Sequence, residues 1–210
     1  MMMKVLLPFL AVGLLSTPHG ELPDLQIGDA MPVPEHRMMD VSGKELSLGQ
    51  VKGENGLVVI FSCNTCPFVI GSNDSEGWEG RYPELAALFA KNGVGFALVN
   101  SNEAKRDAGD SYEDMRVRYK EKNYAQYYML DTDHVVADAF GARTTPHVFL
   151  FNKDMKLVYK GAIDDSVESA SGVKENYLSN ALRGLVSGKA IDPAMTRNIG
   201  CSIKRKPHEH

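Results

Sequence analysis

Cys63 and Cys66, with Asn64 and Thr65 between them and Pro67 after them, are the residues of this chain whose type and spacing most directly permit chemistry. Two thiols at that separation can form and break one disulfide. The thiolate is the attacking species in disulfide exchange, and a nearby second thiol resolves the mixed disulfide. The pair follows Leu57-Val58-Val59-Ile60-Phe61, an apolar run that reads as a buried strand, and a helix is predicted to start at the cysteines. A cysteine at a helix N-terminus faces unsatisfied N–H groups and the positive end of the helix dipole. Both lower its pKa below the ~8.5 of a free thiol. Zinc ribbons use the same spacing but need a second ligand pair, and the one other cysteine is the distant Cys201.

Other residues carry weaker chemical signals. Cys201 is either a small buried hydrophobe or a third redox thiol folding back over the pair, since an odd cysteine in an exported chain invites that question. His147 could tune a thiolate or bind metal, although a lone histidine at a strand start is more often packed. Trp78 could form a substrate-contacting surface within a loop. Asn100, Asn102, Asp164 and Asp165 stand at strand ends, where turn and cap roles are usual. His208 and His210 invite only adventitious metal binding.

The elements that must position these groups can be read from periodicity. Ser42-Gly43 between two half-apolar runs predicts a hairpin, and the strand at Val58–Ser62 follows it. Residues 71–81 read as a loop interrupting the helix after the cysteines. A helix then runs from about Pro83 to Asn92-Gly93, and Val94–Asn100 is a second buried strand. Ser111 and Asp114 form a capping box opening a helix to about Lys122. Tyr127–Leu130 is a short strand, and Val135–Phe140 a short helix stopped by Gly141. A hairpin over 148–160 and a helix over 174–186 complete an α/β chain with a mixed sheet flanked by helices.

Composition is that of an ordinary globular protein, and a net charge of −4 gives no reason to expect nucleic acid or an anionic membrane as partner. The cluster Lys204-Arg205-Lys206 reads as a solvated tail. At the N-terminus, Lys4 precedes the apolar stretch Val5–Leu15, which is too short to span a bilayer comfortably. Residues 1–20 are therefore predicted to be a secretory signal, 21–189 the folded domain and 190–210 a tail carrying Cys201. Export would put the thiols in an oxidising compartment, secreted or periplasmic, with no stable membrane insertion after cleavage.

The order of elements, with C-x-x-C-P at the first strand–helix junction and Thr144-Thr145-Pro146 before a later strand, resembles the thioredoxin fold. Ile27-Gly28-Asp29 through Lys44-Glu45-Leu46-Ser47-Leu48 resembles the redoxin branch, the AhpC/TSA- and TlpA-like group, with an N-terminal β-hairpin extension. Cys63-Asn64-Thr65-Cys66-Pro67-Phe68-Val69, Val99-Asn100-Ser101-Asn102, Gly161 to Ser166 and Gly200-Cys201-Ser202-Ile203-Lys204 are similar to a bacterial subgroup with C-N-x-C-P-F-V and terminal G-C-x-I-K motifs. The resemblance implies a thiol–disulfide oxidoreductase with protein thiol or disulfide substrates, an upstream thiol donor or acceptor, and no organic cofactor or metal. In that reading Cys63 is the exposed nucleophile and Cys66 the resolver. A cis Thr145–Pro146 bond would leave backbone groups at Thr145 and Pro146 free to bind substrate.

Two departures accompany the resemblance. The positions where such reductases carry a buried acid are Leu57 and Val69 here, and segment 71–81 is longer than expected. Two other functions share the fold. A peroxiredoxin-type peroxidase needs a threonine three residues before its cysteine, and those positions hold Ile60 and Cys63. A Sco-like copper module could use Cys63, Cys66 and His147 as soft and imidazole ligands, although such proteins use C-x-x-x-C.

Overall fold

The computed structural model describes residues 22–207; the predicted signal segment, His208 and His210 lie outside them. The first hairpin, β1 (Arg37–Asp40) and β2 (Glu45–Ser47), turns at Gly43, whose φ of 84° is one a side chain would disfavour. Ser47 caps a short helix, α1 (Leu48–Val51), through a capping box with Gln50. That helix was not expected, because four residues are too few for a periodic pattern. β3 (Gly56–Phe61) follows, buried at every position.

The remaining elements are α2 (Pro67–Ile70), α3 (Tyr82–Lys91), β4 (Val94–Asn100), α4 (Tyr112–Glu121), β5 (Tyr127–Leu130) and α5 (Val135–Phe140). After them come β6 (Thr144–Thr145), β7 (His147–Asn152), β8 (Leu157–Gly161), α6 (Tyr177–Ser187) and β9 (Cys201–Ser202). The expected strands and helices are present, with α4 opened by the Ser111–Asp114 capping box and α5 closed by Gly141 in the left-handed conformation. The two-residue strands β6 and β9 carry no alternation that a sequence could show.

β2-β1-β5-β4 form one run of the sheet and β3-β7-β8 another. The Ser62 N–H reaches the Val99 carbonyl at 2.9 Å and joins them into a seven-stranded mixed sheet. Alternation along β3 divides the core in two. Val58 and Ile60 face a cluster with Phe89, Leu178 and both Cys63 and Cys66, whereas Leu57, Val59 and Phe61 face Phe140, Phe149 and Ile203. Each such fully buried side chain contributes about 1.5–3 kcal/mol, so the strand end bearing Cys63 is held from both faces. Among the described residues no helix is long and apolar enough to cross a membrane.

The tail does not trail into solvent as its charge suggested. Arg205 pairs with Asp138 at 2.6 Å and donates to the Ala142 carbonyl, and Ile203 is buried. A guanidinium with a carboxylate and a carbonyl to bind gains more by docking than a hydrated charge in a free tail.

Candidate active site

β3 ends at Phe61, and Ser62 and Cys63 continue from it at the edge of the first core cluster. Cys66 is the N-cap of α2, and Pro67, with no N–H to lose, takes the first helical position. α2 ends after Ile70 because Gly71 turns at a φ of 87°. A four-residue helix supplies little dipole, so the expected source of thiolate stabilisation is weak here.

Other donors stabilise the thiolate, and they act on Cys66. The Cys63 thiol is its first donor; the thiol and backbone N–H of Cys201 add to it, against the opposing cost of burial, and hold Cys66 at about 5. The same bond to Cys66 pushes the Cys63 pKa well up, with burial and the negative charge of Asp110 acting in the same direction. Cys63 is also not the exposed thiol that was expected. Cys63 is 1% and Cys66 2% accessible, while Cys201 is partly exposed, and all three are free thiols.

Thr145 meets both sulfurs of the pair. Its Oγ1 lies 3.3 Å from Cys63 Sγ, and its carbonyl oxygen lies 3.1 Å from Cys66 Sγ. The Thr145–Pro146 bond is cis, as the resemblance implied. The loop between the cysteines is fixed by a carboxylate that sequence reasoning missed. Asp110 accepts from the Asn64 N–H at 2.7 Å, the Thr65 hydroxyl at 2.7 Å, and the amides of Asn100 and Asn102 at 2.9 and 3.0 Å. Asn64 further donates to the Gly109 carbonyl and accepts from the Tyr128 hydroxyl. Arg106 ties the Asp110 and Asn100 carbonyls together from behind. Gly109-Asp110-Ser111 looks like any helix approach in sequence. The one signal was the pair Asn100 and Asn102 at the end of a buried strand, where two amides need acceptors.

Leu57 and Val69, where an acid was sought, are fully buried and apolar, so no carboxylate lies at either position. Trp78 is 1% exposed and donates its indole N–H to Asp164 at 2.7 Å, so it forms no contact surface. A large aromatic body gains more in the core once its N–H has an acceptor. Arg81 lies 3.0 Å from the same carboxylate and donates to the Ser166 carbonyl. Together they pin the long 71–81 segment onto residues 161–168. Asp165 caps the turn at Lys174 and Glu175, as strand-end residues often do. His147 is buried against Phe149, with ring centroids 4.5 Å apart, on the sheet face opposite the cysteines. Burial, helped by Lys160 and Arg143, lowers its pKa to about 3. Among the described residues no group of three His, Cys, Asp or Glu side chains is arranged to hold a metal.

Comparison with known proteins supports the fold and extends it to a family. The Redoxin family profile matches residues 26–177. An uncharacterised conserved protein from Geobacillus kaustophilus is 32% identical, with a TM-score of 0.80 over 93% of this chain and 100% of that one. A hypothetical protein from Sinorhizobium meliloti 1021 is 27% identical, with a TM-score of 0.78 over 89% of this chain and 98% of that one. Peroxidoxin BcpB of Mycobacterium tuberculosis, at 14% identity, shares the fold with a TM-score of 0.55 over 78% of this chain and 97% of its own. No functionally curated protein matches the chain.

Proposed function

The chain belongs to the Redoxin family, and from that premise of a thioredoxin-like redox protein we propose that it is a thiol–disulfide oxidoreductase acting on protein disulfides through Cys63 and Cys66. The observation that carries the reading is the pair of buried free thiols, both against Thr145, at the end of a strand packed on two faces. Cys63 attacks one sulfur of the substrate disulfide and passes its proton to the Cys66 thiolate, which takes the place of the missing carboxylate. The departing substrate thiolate takes that proton back. Cys66 then attacks Cys63 of the mixed disulfide, and the second substrate sulfur leaves as a thiolate that takes its proton from water. The substrate gains two electrons, and the pair becomes a disulfide.

A stabilised thiolate favours the reduced form of the pair. A second thiol protein restores the starting state. The apolar N-terminal run supports export, where such a pair would meet disulfide substrates.

Titration in a glutathione buffer with thiol trapping and peptide mapping tests the reading. A reversible Cys63–Cys66 disulfide is expected, with Cys66→Ser accumulating substrate or glutathione on Cys63. Absence of any reversible disulfide from either cysteine would remove the oxidoreductase assignment.

A further inference from the structure

β9 is seated where an incoming strand would have to lie to reach the site. It pairs antiparallel with β6, setting Ser202 opposite Thr144 and Cys201 opposite Thr145. Thr145 is the residue whose hydroxyl and carbonyl touch Cys63 and Cys66. The approach is close: a Cβ on Gly200 would fall 2.3 Å from the Thr145 carbonyl oxygen, so only glycine fits there. Beyond the strand, the Ile203 N–H donates to the Arg143 carbonyl at 3.0 Å. The Lys204 N–H donates to Asn102 at 2.9 Å, and the Ala104 N–H to the Lys204 carbonyl at 2.8 Å. The asparagine that helps to fix Asp110 therefore also fixes the tail.

This arrangement brings Cys201 against the buried cluster that holds Cys63 and Cys66, with its sulfur beside Cys66 and within reach of the Phe68 N–H. Three sulfurs stand in sequence, and Cys201 is the one that solvent reaches. Taking the dithiol reading above as given, we propose that the tail is a built-in strand in the substrate groove and that Cys201 is a third redox thiol, the port through which an external thiol reductant regenerates the pair.

The exchange balances within the chain. In the oxidised protein, Cys201 attacks Cys66, the bond between Cys66 and Cys63 breaks, and Cys63 leaves as a thiolate that takes the proton lost by Cys201. One disulfide has moved and no electrons have left the protein. An external thiolate then attacks the partly exposed Cys201 and expels Cys66. That leaving group is the most stabilised thiolate of the three, which favours the step. A second external thiol completes the two-electron reduction, freeing Cys201 and leaving the reductant as its disulfide. Direct attack on a Cys63–Cys66 disulfide would first have to displace the tail, as a protein substrate must, whereas Cys201 is reached with the tail in place.

The test is peptide mapping of the full protein after stoichiometric oxidation by oxidised glutathione, followed by the rate of its reduction by reduced glutathione. A Cys66–Cys201 cross-link is expected in the wild-type protein and in Cys63→Ser. Reduction of Cys201→Ser is expected to be slower by roughly tenfold or more, its disulfide being restricted to the buried pair. If only Cys63–Cys66 forms, with Cys201 fully alkylated and the reduction rate unchanged in Cys201→Ser, the relay is overturned while the dithiol reading stands. If no disulfide forms in any of the three proteins, both fall.

Discussion

The loop between the cysteines and the C-terminal strand meet at Thr145, yet they are held there by different means. The loop is anchored by one buried carboxylate with four donors, its Asn64 side chain is held by Gly109 and Tyr128, and Arg106 holds the Asp110 carbonyl. The strand is two residues long, paired on one side, and contributes a half-buried sulfur. Removing one partner from a buried network leaves several polar groups unsatisfied at once, whereas a terminal strand exchanges its few hydrogen bonds for water. The two buried sulfurs thus sit on a fixed base beneath a cover that can be exchanged.

That contrast is broken most severely at Asp110. Asp110→Ala strands four donors and is expected to cost about 3–5 kcal/mol in denaturant unfolding. The milder Asp110→Asn is expected to bring the Cys63 pKa down, since a charge that raises it is gone; pH-dependent alkylation of Cys63 reads this out. An unchanged stability in Asp110→Ala would show that the loop is as replaceable as the strand.

Asp164→Ala removes the acceptor of Trp78 and the partner of Arg81, under the long segment. A loss of about 2–3 kcal/mol is expected, with the Cys66 titration midpoint unmoved. At the cover, Gly200→Ala is expected to lift β9 while costing less than about 1 kcal/mol globally. Its signature is faster alkylation of Cys201 and a Cys66 titration midpoint raised above about 5, because the Cys201 donors are lost. A large global loss in Gly200→Ala would show that β9 cannot lift without also freeing the buried Ile203.

Near neutral pH the smallest effect is at His147, whose contribution appears only in acid. Its folded-state pKa, about 3 against 6.5, means that the unfolded chain binds the extra proton throughout that interval. Stability therefore falls as pH drops from 6.5 toward 3, by at most about 1.4 kcal/mol per pH unit from this residue. His147→Gln, which keeps an acceptor for the Arg143 N–H, should flatten that acid limb and leave the exchange rate near neutral pH unchanged.

Much of the scaffold was determined by local pattern. Apolar continuity marked β3 and β4, Ser111 with Asp114 marked the start of α4, Gly141 marked the end of α5, and C-x-x-C marked the junction of β3 with the next helix. These signals are local because hydrophobic period, caps and turn residues act within a few positions. The tertiary structure alone decided which cysteine carries the thiolate, what fixes the loop and where Cys201 lies. Cys66 is stabilised by donors from residues 63 and 201 rather than by its own short helix, and Asp110 reaches Asn64 across 46 positions. Burial of Trp78 depends on Asp164, 86 positions away. The strength of a charge or a hydrogen bond is set by what surrounds it in space, and no spacing along the chain encodes that.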